Sequence, residues 1–281
     1  MIIKTYNTIG SFLADNQAFL EKEEAANNLL LGLPLAMKGK PLKAQMPIML
    51  SVFNDNEVVF SCFQTPPRQM IIYAQTDDCG AEIDYLIKFL IDHNYDMPGV
   101  LGRKTLVNQF ESSWRKATGH QSKVLFDHLV FQLDELNDIP ISDGSIRLAT
   151  MDDYELVARW VKDFIEEATQ DDSASYKKVA KDKIEGKAIY LWENEEIVSM
   201  AGIDRPTTHG ITVNYVYTPP EFRGKGYASS VVYEMSALML RQYAFCALFT
   251  DLANPTSNKI YQAIGYRPIR AFTQLSIFEE A

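Results

Sequence analysis

Residues 213–243, VNYVYTPPEFRGKGYASSVVYEMSALMLRQY, decide how the chain is read. As far as Thr218 the stretch alternates and carries β-formers (Val213, Tyr215, Val216, Tyr217), the pattern of a strand. Pro219 and Pro220 end it, because proline has no N–H to give a ladder. From about Lys225 the period becomes helical, with Ala228, Val231, Val232, Met235, Leu238 and Met239 falling on one face. Between strand and helix lies Arg223-Gly224-Lys225-Gly226-Tyr227-Ala228. Glycines at a helix start let bare N–H groups converge on an anion, and the helix dipole contributes about 0.3–1 kcal/mol to an exposed one. Arg223 and Lys225 add two full charges. The stretch therefore predicts a strand, a phosphate cradle and a helix.

Two common phosphate loops do not fit. The spacing G-x-x-x-x-G-K-[ST] of a P-loop is absent, and a dinucleotide fingerprint would need glycine where Ser229 stands. The next informative stretch is 245–269, FCALFTDLANPTSNKIYQAIGYRPI. Phe245 to Thr250 is an apolar run of strand length; Asn254 suits an N-cap, Pro255 the first helical position and Gly265 the stop. Asn254, Asn258 and Tyr261 then share one side of a short helix.

The two motifs, in this order, resemble those of the GNAT superfamily of acyl-CoA-dependent N-acyltransferases. The family's pyrophosphate loop, R/Q-x-x-G-x-G/A, reads here as Arg223, Gly226 and Ala228. Its second motif reads as Asn254, Ser257 or Asn258, Tyr261, Gly265 and Tyr266. The resemblance covers about half the chain, from Ser145 to Ala281. It implies an α/β (α+β) fold with a mixed, mostly antiparallel sheet flanked by helices.

The first half offers a second copy. Phe53-Asn-Asp-Asn-Glu57-Val-Val and Trp192-Glu-Asn-Glu-Glu196-Ile-Val repeat an aromatic, turn residues, Glu and β-branched residues at an offset of 192 − 53 = 139. After each come another strand, a polar loop and an amphipathic helix, so two tandem GNAT-like domains are expected. The boundary falls in the polar, Pro140- and Gly144-bearing segment 132–145, giving 1–138 as the degenerate copy and 139–281 as the catalytic one. The offset carries the phosphate loop onto Asp77, Asp78, Glu82 and Asp84, four carboxylates that would repel a pyrophosphate. One acetyl-CoA per chain is expected, with the first half shaping the acceptor pocket or a homodimer contact. Other expected elements are a helix over 14–31, strands 48–54 and 57–64, and a hairpin of strands 188–193 and 197–204.

Composition narrows the partners. A 47% apolar, 23% charged chain of 281 residues is ordinary for a globular protein, and no apolar run reaches the length of a membrane span. A net charge of −10 argues against nucleic acid and accords with a cationic amine. Cys62, Cys79 and Cys246 are odd in number, scattered and without metal spacing. No signal peptide is visible; a cytoplasmic protein without a metal is expected.

What the resemblance implies for chemistry can be stated by residue. Backbone groups of Val216, Tyr217 and Thr218 would hold the pantetheine arm of acetyl-CoA, with an N–H near Val216 facing the thioester oxygen. The N–H groups of Gly224, Lys225, Gly226, Tyr227, Ala228 and Ser229 would take the pyrophosphate, with the Arg223 and Lys225 side chains nearby. Asn254, Ser257 and Asn258 would also contact the cofactor. Tyr261 stands where the family keeps its general acid. Many relatives carry a glutamate on the central strand, but Ile211 to Tyr217 contains no acid, leaving Asp204, Glu166, Glu167 and Asp251 as candidate bases. The expected activity is transfer of an acetyl group to the primary amine of a small molecule or peptide. Acylation of an amino acid, as in glycine N-acyltransferases, and a non-catalytic acyl-CoA sensor are the alternatives.

Overall fold

A computed structural model describes residues 1–41, 45–168 and 173–280. The elements run β1 (Ile2–Thr5), α1 (Ile9–Glu21), α2 (Asn28–Met37), β2 (Ile48–Asn54), β3 (Glu57–Gln64), β4 (Met70–Ala74), α3 (Gly80–Asp92), β5 (Gly99–Arg103), α4 (Lys104–Thr118) and β6 (Gln121–Leu133). They continue with β7 (Ser145–Leu148), α5 (Tyr154–Ala168), α6 (Tyr176–Glu185), β8 (Ile189–Asn194), β9 (Glu196–Asp204), β10 (Gly210–Tyr217), α7 (Tyr227–Met239), β11 (Phe245–Asp251), α8 (Pro255–Ile264) and β12 (Arg267–Phe278). Contacts group them into two units, residues 1–130 with 269–281, and residues 131–268.

In the first unit the strand order is β1-β2-β3-β4-β5-β12-β6. Neighbours from β1 to β4 are antiparallel, β4 and β5 are parallel, and β12 runs antiparallel to β5. All five residues of β4, MIIYA, are buried because both faces of the sheet are covered. Met70, Ile72 and Ala74 pack with Ile83, Leu86 and Leu90 of α3, while Ile71 and Tyr73 pack with Phe12, Phe19 and Leu20 of α1. Helix α1 starts at Thr8, whose hydroxyl accepts from Ser11 N at 3.1 Å. The single helix expected over 14–31 is two. Asn27 donates its side-chain amide to the Leu20 carbonyl at 2.9 Å, satisfying an end group of α1 before α2 begins. Local spacing did not announce β1, β5 or β12; β12 buries Phe272, Leu275 and Ile277 in this unit.

The second unit repeats the plan in the order β7-β8-β9-β10-β11, antiparallel until β10 meets β11 in parallel. On one face Ile189 and Leu191 of β8 pack with Val157, Val161 and Ile165 of α5 and Ala180 and Ile184 of α6. Helix α7 packs against β8 and β9, and the buried Trp192 ring is fixed by its N–H donating to the Asp143 carbonyl at 3.1 Å. Trp160 is a core residue, and Phe164 is half-buried beneath Tyr215, ring centroids 5.2 Å apart.

The internal repeat is exact in register only when one residue is skipped. Val52 faces Phe60 and Trp192 faces Ser199, and each strand shifts register immediately afterwards. The structural counterpart of Trp192 is thus Val52, an offset of 192 − 52 = 140, whereas Glu57 and Glu196 keep 196 − 57 = 139. The cause lies in the turns. The first hairpin turns through Asp55 and Asn56, both at positive φ, and the second through Glu195 alone.

Candidate active site

Three features of the second unit converge at the C-terminal end of β10. The parallel register with β11 covers only Gly210, Ile211 and Thr212, opposite Phe245, Cys246 and Ala247. On the other edge, the antiparallel register with β9 passes from Asn214 to Tyr217. Tyr215 and Val216 stand outside both registers, with Tyr215 at φ 52 and its N–H taken by the Asn214 side chain at 2.8 Å. A strand that has left its parallel neighbour and bulged away from its antiparallel one presents backbone donors and acceptors to a ligand. Val216 is the residue so placed.

The carbonyls beyond the bulge are engaged. Tyr217 O accepts from the Ser199 hydroxyl at 3.2 Å, and Thr218 O accepts from Arg223 Nε at 2.8 Å. The Thr218 and Ser199 hydroxyls share a hydrogen bond of 2.8 Å. Burial, then the Glu167 and Asp163 carboxylates, push the Tyr217 phenol up to about 12.

After a single 3-10 turn at Pro220–Phe222, the chain enters the glycine loop. Gly224 and Gly226 both have positive φ, 78 and 83. Among the described residues, nothing stands within 4 Å of a Cβ added at Gly224, whereas one at Gly226 would meet the Ser142 hydroxyl at 2.6 Å. That hydroxyl donates to the Lys225 carbonyl at 2.8 Å, and Ser142 N donates to the Ser230 hydroxyl at 2.9 Å, so the segment preceding β7 pins the loop. Gly226 caps α7 with no side-chain hydrogen bond, and no acid occupies the first turn. The N–H groups of Tyr227, Ala228 and Ser229 therefore begin the helix without a side-chain cap, as an anion site requires. Asn194 donates to the Tyr227 hydroxyl at 2.9 Å.

The two loop cations differ. Arg223 pairs with Glu167 at 2.7 Å and lies 5.9 Å from the Tyr217 ring centroid. Lys225 is exposed, with its ammonium 5.6 Å from the Phe222 ring centroid. Among the described residues, Arg223 is held by a carboxylate and Lys225 is not.

In α8, Asn254 accepts from Ser257 N at 3.1 Å and is the helix cap. Asn258 accepts from the Thr250 hydroxyl at 3.0 Å and donates to the Asp251 carbonyl at 3.4 Å, joining the helix to the end of β11. Tyr261 is 9% exposed, its ring 5.9 Å from that of Tyr266 and 6.4 Å from that of Phe131. Burial pushes its phenol up to about 12. That is the wrong direction for complete proton transfer to a thiolate whose conjugate acid is near 8.5: the step is uphill by about three powers of ten. The hydroxyl can donate a hydrogen bond to developing charge on sulfur while keeping its proton.

Each candidate base has a local engagement. Asp204 is held by Lys183 at 2.8 Å and Arg205 at 3.1 Å, and these cations keep it below the usual carboxylate range despite its burial. Glu167 pairs with Arg223, Glu166 with Lys162 at 3.4 Å, and Asp251 accepts from Ala253 N at 2.8 Å.

In the first unit the corresponding region is closed. Five residues, 75–79, join β4 to α3, where nine, 218–226, join β10 to α7, so the glycine loop has no counterpart. The parallel register of β4 with β5 ends at Ile71 and Leu101. Beyond it the Arg103 guanidinium, 14% exposed, donates to the Ala74 and Thr76 carbonyls at 3.0 and 2.9 Å and pairs with Asp77 at 3.0 Å. The expected four-carboxylate repulsion is thereby amended, since Asp77 is neutralised from within.

Both units carry an antiparallel series of strands that ends in a parallel pair, β4 with β5 and β10 with β11, which is the GNAT fold in tandem; among the described residues the bulge and the glycine-capped helix belong to the second unit. Residues 196–274 match the family model described as FR47-like protein. A GNAT-family acetyltransferase from Colwellia psychrerythraea superposes with a TM-score of 0.59 at 13% identity, covering 100% of each chain. A GCN5-related N-acetyltransferase from Sphaerobacter thermophilus gives 0.60 at 14%, covering 100% of this chain and 96% of its own. A tandem GNAT protein from the clavulanic acid biosynthesis pathway gives 0.57 at 11%, covering 100% and 99%. The sequence matches no curated protein. Among the described residues, no helix is long and apolar enough to cross a membrane.

Proposed function

We propose that the second unit transfers the acetyl group of acetyl-CoA directly to a primary amine. The observation that carries the reading is Val216, left outside both ladders at a bulge from which the chain runs into a bare helix N-terminus. The pyrophosphate of acetyl-CoA would lie on the N–H groups of Gly224 to Ser229 beside Lys225, and the pantetheine arm along Val216 and Tyr217. The Val216 N–H would face the thioester oxygen and stabilise the charge that develops there. The unprotonated amine attacks the carbonyl carbon, forming the C–N bond. The C–S bond breaks, Tyr261 donates a hydrogen bond to the departing sulfur, and the proton shed by the amine leaves through solvent to yield free thiol and amide. The test is thiol release from acetyl-CoA with polyamines, aminoglycosides, amino acids and lysine peptides. Release with at least one amine class is expected; tight acetyl-CoA binding without release would identify a sensor.

A further inference from the structure

We infer that the acceptor amine carries a carboxylate, and that Arg205 together with Lys183 receives it. The inference deepens the acyl-transfer reading and rests on it for the position of the acyl group. Strand β9 ends at Asp204, which the register sets opposite Thr212, so Arg205 follows at the end of β10 remote from the glycine loop. A thioester reaching Val216 from the loop leaves that end for the acceptor. The Lys183 ammonium lies 5.4 Å from the ring centroid of Tyr215, the neighbour of Val216.

The charges there do not balance. Among the described residues, Lys183 and Arg205, each 16% exposed, share the carboxylate of Asp204. Lys183 also donates to the Ile203 carbonyl at 3.2 Å, and Arg205 N donates to Asp204 Oδ1 at 3.0 Å. Within this described trio one positive charge is left over in a poorly solvated place, a costly arrangement unless an anion completes it. Burial lowers the affinity of both cations for their protons. Arg205 Nε is sealed from solvent and has no hydrogen-bond partner among the described residues, and the residue sits at φ 42, a region that non-glycine residues occupy at a cost. A purely structural pair anchoring the end of β9 would need one cation for Asp204. It does not account for the second cation. A guanidinium offers a planar fork of donors matched to a carboxylate, and Asp204 occupies only Nη1.

The test uses the full chain with acetyl-CoA, comparing each free amino acid with its own carboxamide in thiol release. The carboxamides have the less basic amines, so that bias runs against the expected result. Wild type is expected to favour the acid at least about tenfold in kcat/KM. Arg205→Gln should raise KM for the acid by on the order of ten- to a hundredfold, the weight of hydrogen bonds to a charged group, and bring the ratio near one without altering acetyl-CoA affinity. If that variant does not fold, Lys183→Met should likewise lower the ratio. Equal use of acid and amide by wild type, or an unchanged ratio in a folded variant, overturns the inference. If no amine is turned over, the acyl-transfer reading fails by itself. The carboxylate site is then read from the Tm shift with the same compounds at saturating CoA. Stabilisation by acids alone, lost in Arg205→Gln, sustains it, and no difference overturns it.

Discussion

Tyr261 shows how far a residue's type predicts its role and where its surroundings take over. Its place four residues before Gly265 was legible in the sequence; the burial that pushes its phenol to about 12 was not, because Phe131 comes from a remote strand. A donor that keeps its proton leads to one expectation for Tyr261→Phe and one for the wild type. Its kcat should fall by on the order of ten- to a hundredfold, with acetyl-CoA affinity nearly unchanged. The wild-type rate should also lack the alkaline fall that an ordinary phenol gives near about pH 10. A steady-state pH series on both proteins checks each. Lys225 is the cleaner probe of the phosphate cradle. Gly226 has positive φ, and a Cβ added there would stand 2.6 Å from Ser142 Oγ, so its replacement would disturb the loop itself. Lys225→Glu changes the charge by two units; at about 1 kcal/mol per unit at 4 Å in water, acetyl-CoA binding should weaken roughly thirtyfold. Calorimetry on the folded variant gives the value. The pairing of Arg223 with Glu167 was beyond sequence reasoning, because 56 residues separate the partners.

At the scale of elements, the strands and helices with local signals were legible and those held by distant partners were not. The hairpin β2–β3 and helix α8 carry their turn and cap residues beside them. Strand β12 is polar at its start and gains its partner β5 from more than 160 residues away, so no local pattern marks it. Thr150 and Asp153 precede α5, and behind them lies an ion pair between Arg147 and Asp153. Arg147 grips Asp153 with two bonds of 2.8 and 2.9 Å, and Thr150 N donates to the same carboxylate at 2.8 Å. Led by the Arg147 contacts, these hold Asp153 down at about 2. A carboxyl whose folded value lies below its unfolded one stabilises the fold above the unfolded value, near 3.8, and loses that contribution as pH falls toward 2. Asp153→Asn should therefore cost about 2 kcal/mol at pH 7, shrinking towards nothing near pH 2. Urea titrations of both proteins at several pH values test this.

For the molecule as a whole, one plan serves twice, and among the described residues the glycine loop belongs to the second copy. The repeat was legible in the paired hairpins, though its register was off by one because Glu195 turns where Asp55 and Asn56 do. What closes the first copy was not legible: the loop 75–79 is too short for a glycine cradle, and Arg103 bonds to the Ala74 and Thr76 carbonyls past the end of β4. An anion there would meet Asp78, Glu82 and Asp84 with Arg103 already spent on Asp77. Calorimetric titration of the intact chain with acetyl-CoA, alongside the Lys225→Glu variant, tests this account most directly. One site per chain, weakened as a single transition in the variant, is the predicted result. Two sites, no binding at all, or a site indifferent to Lys225→Glu would contradict it.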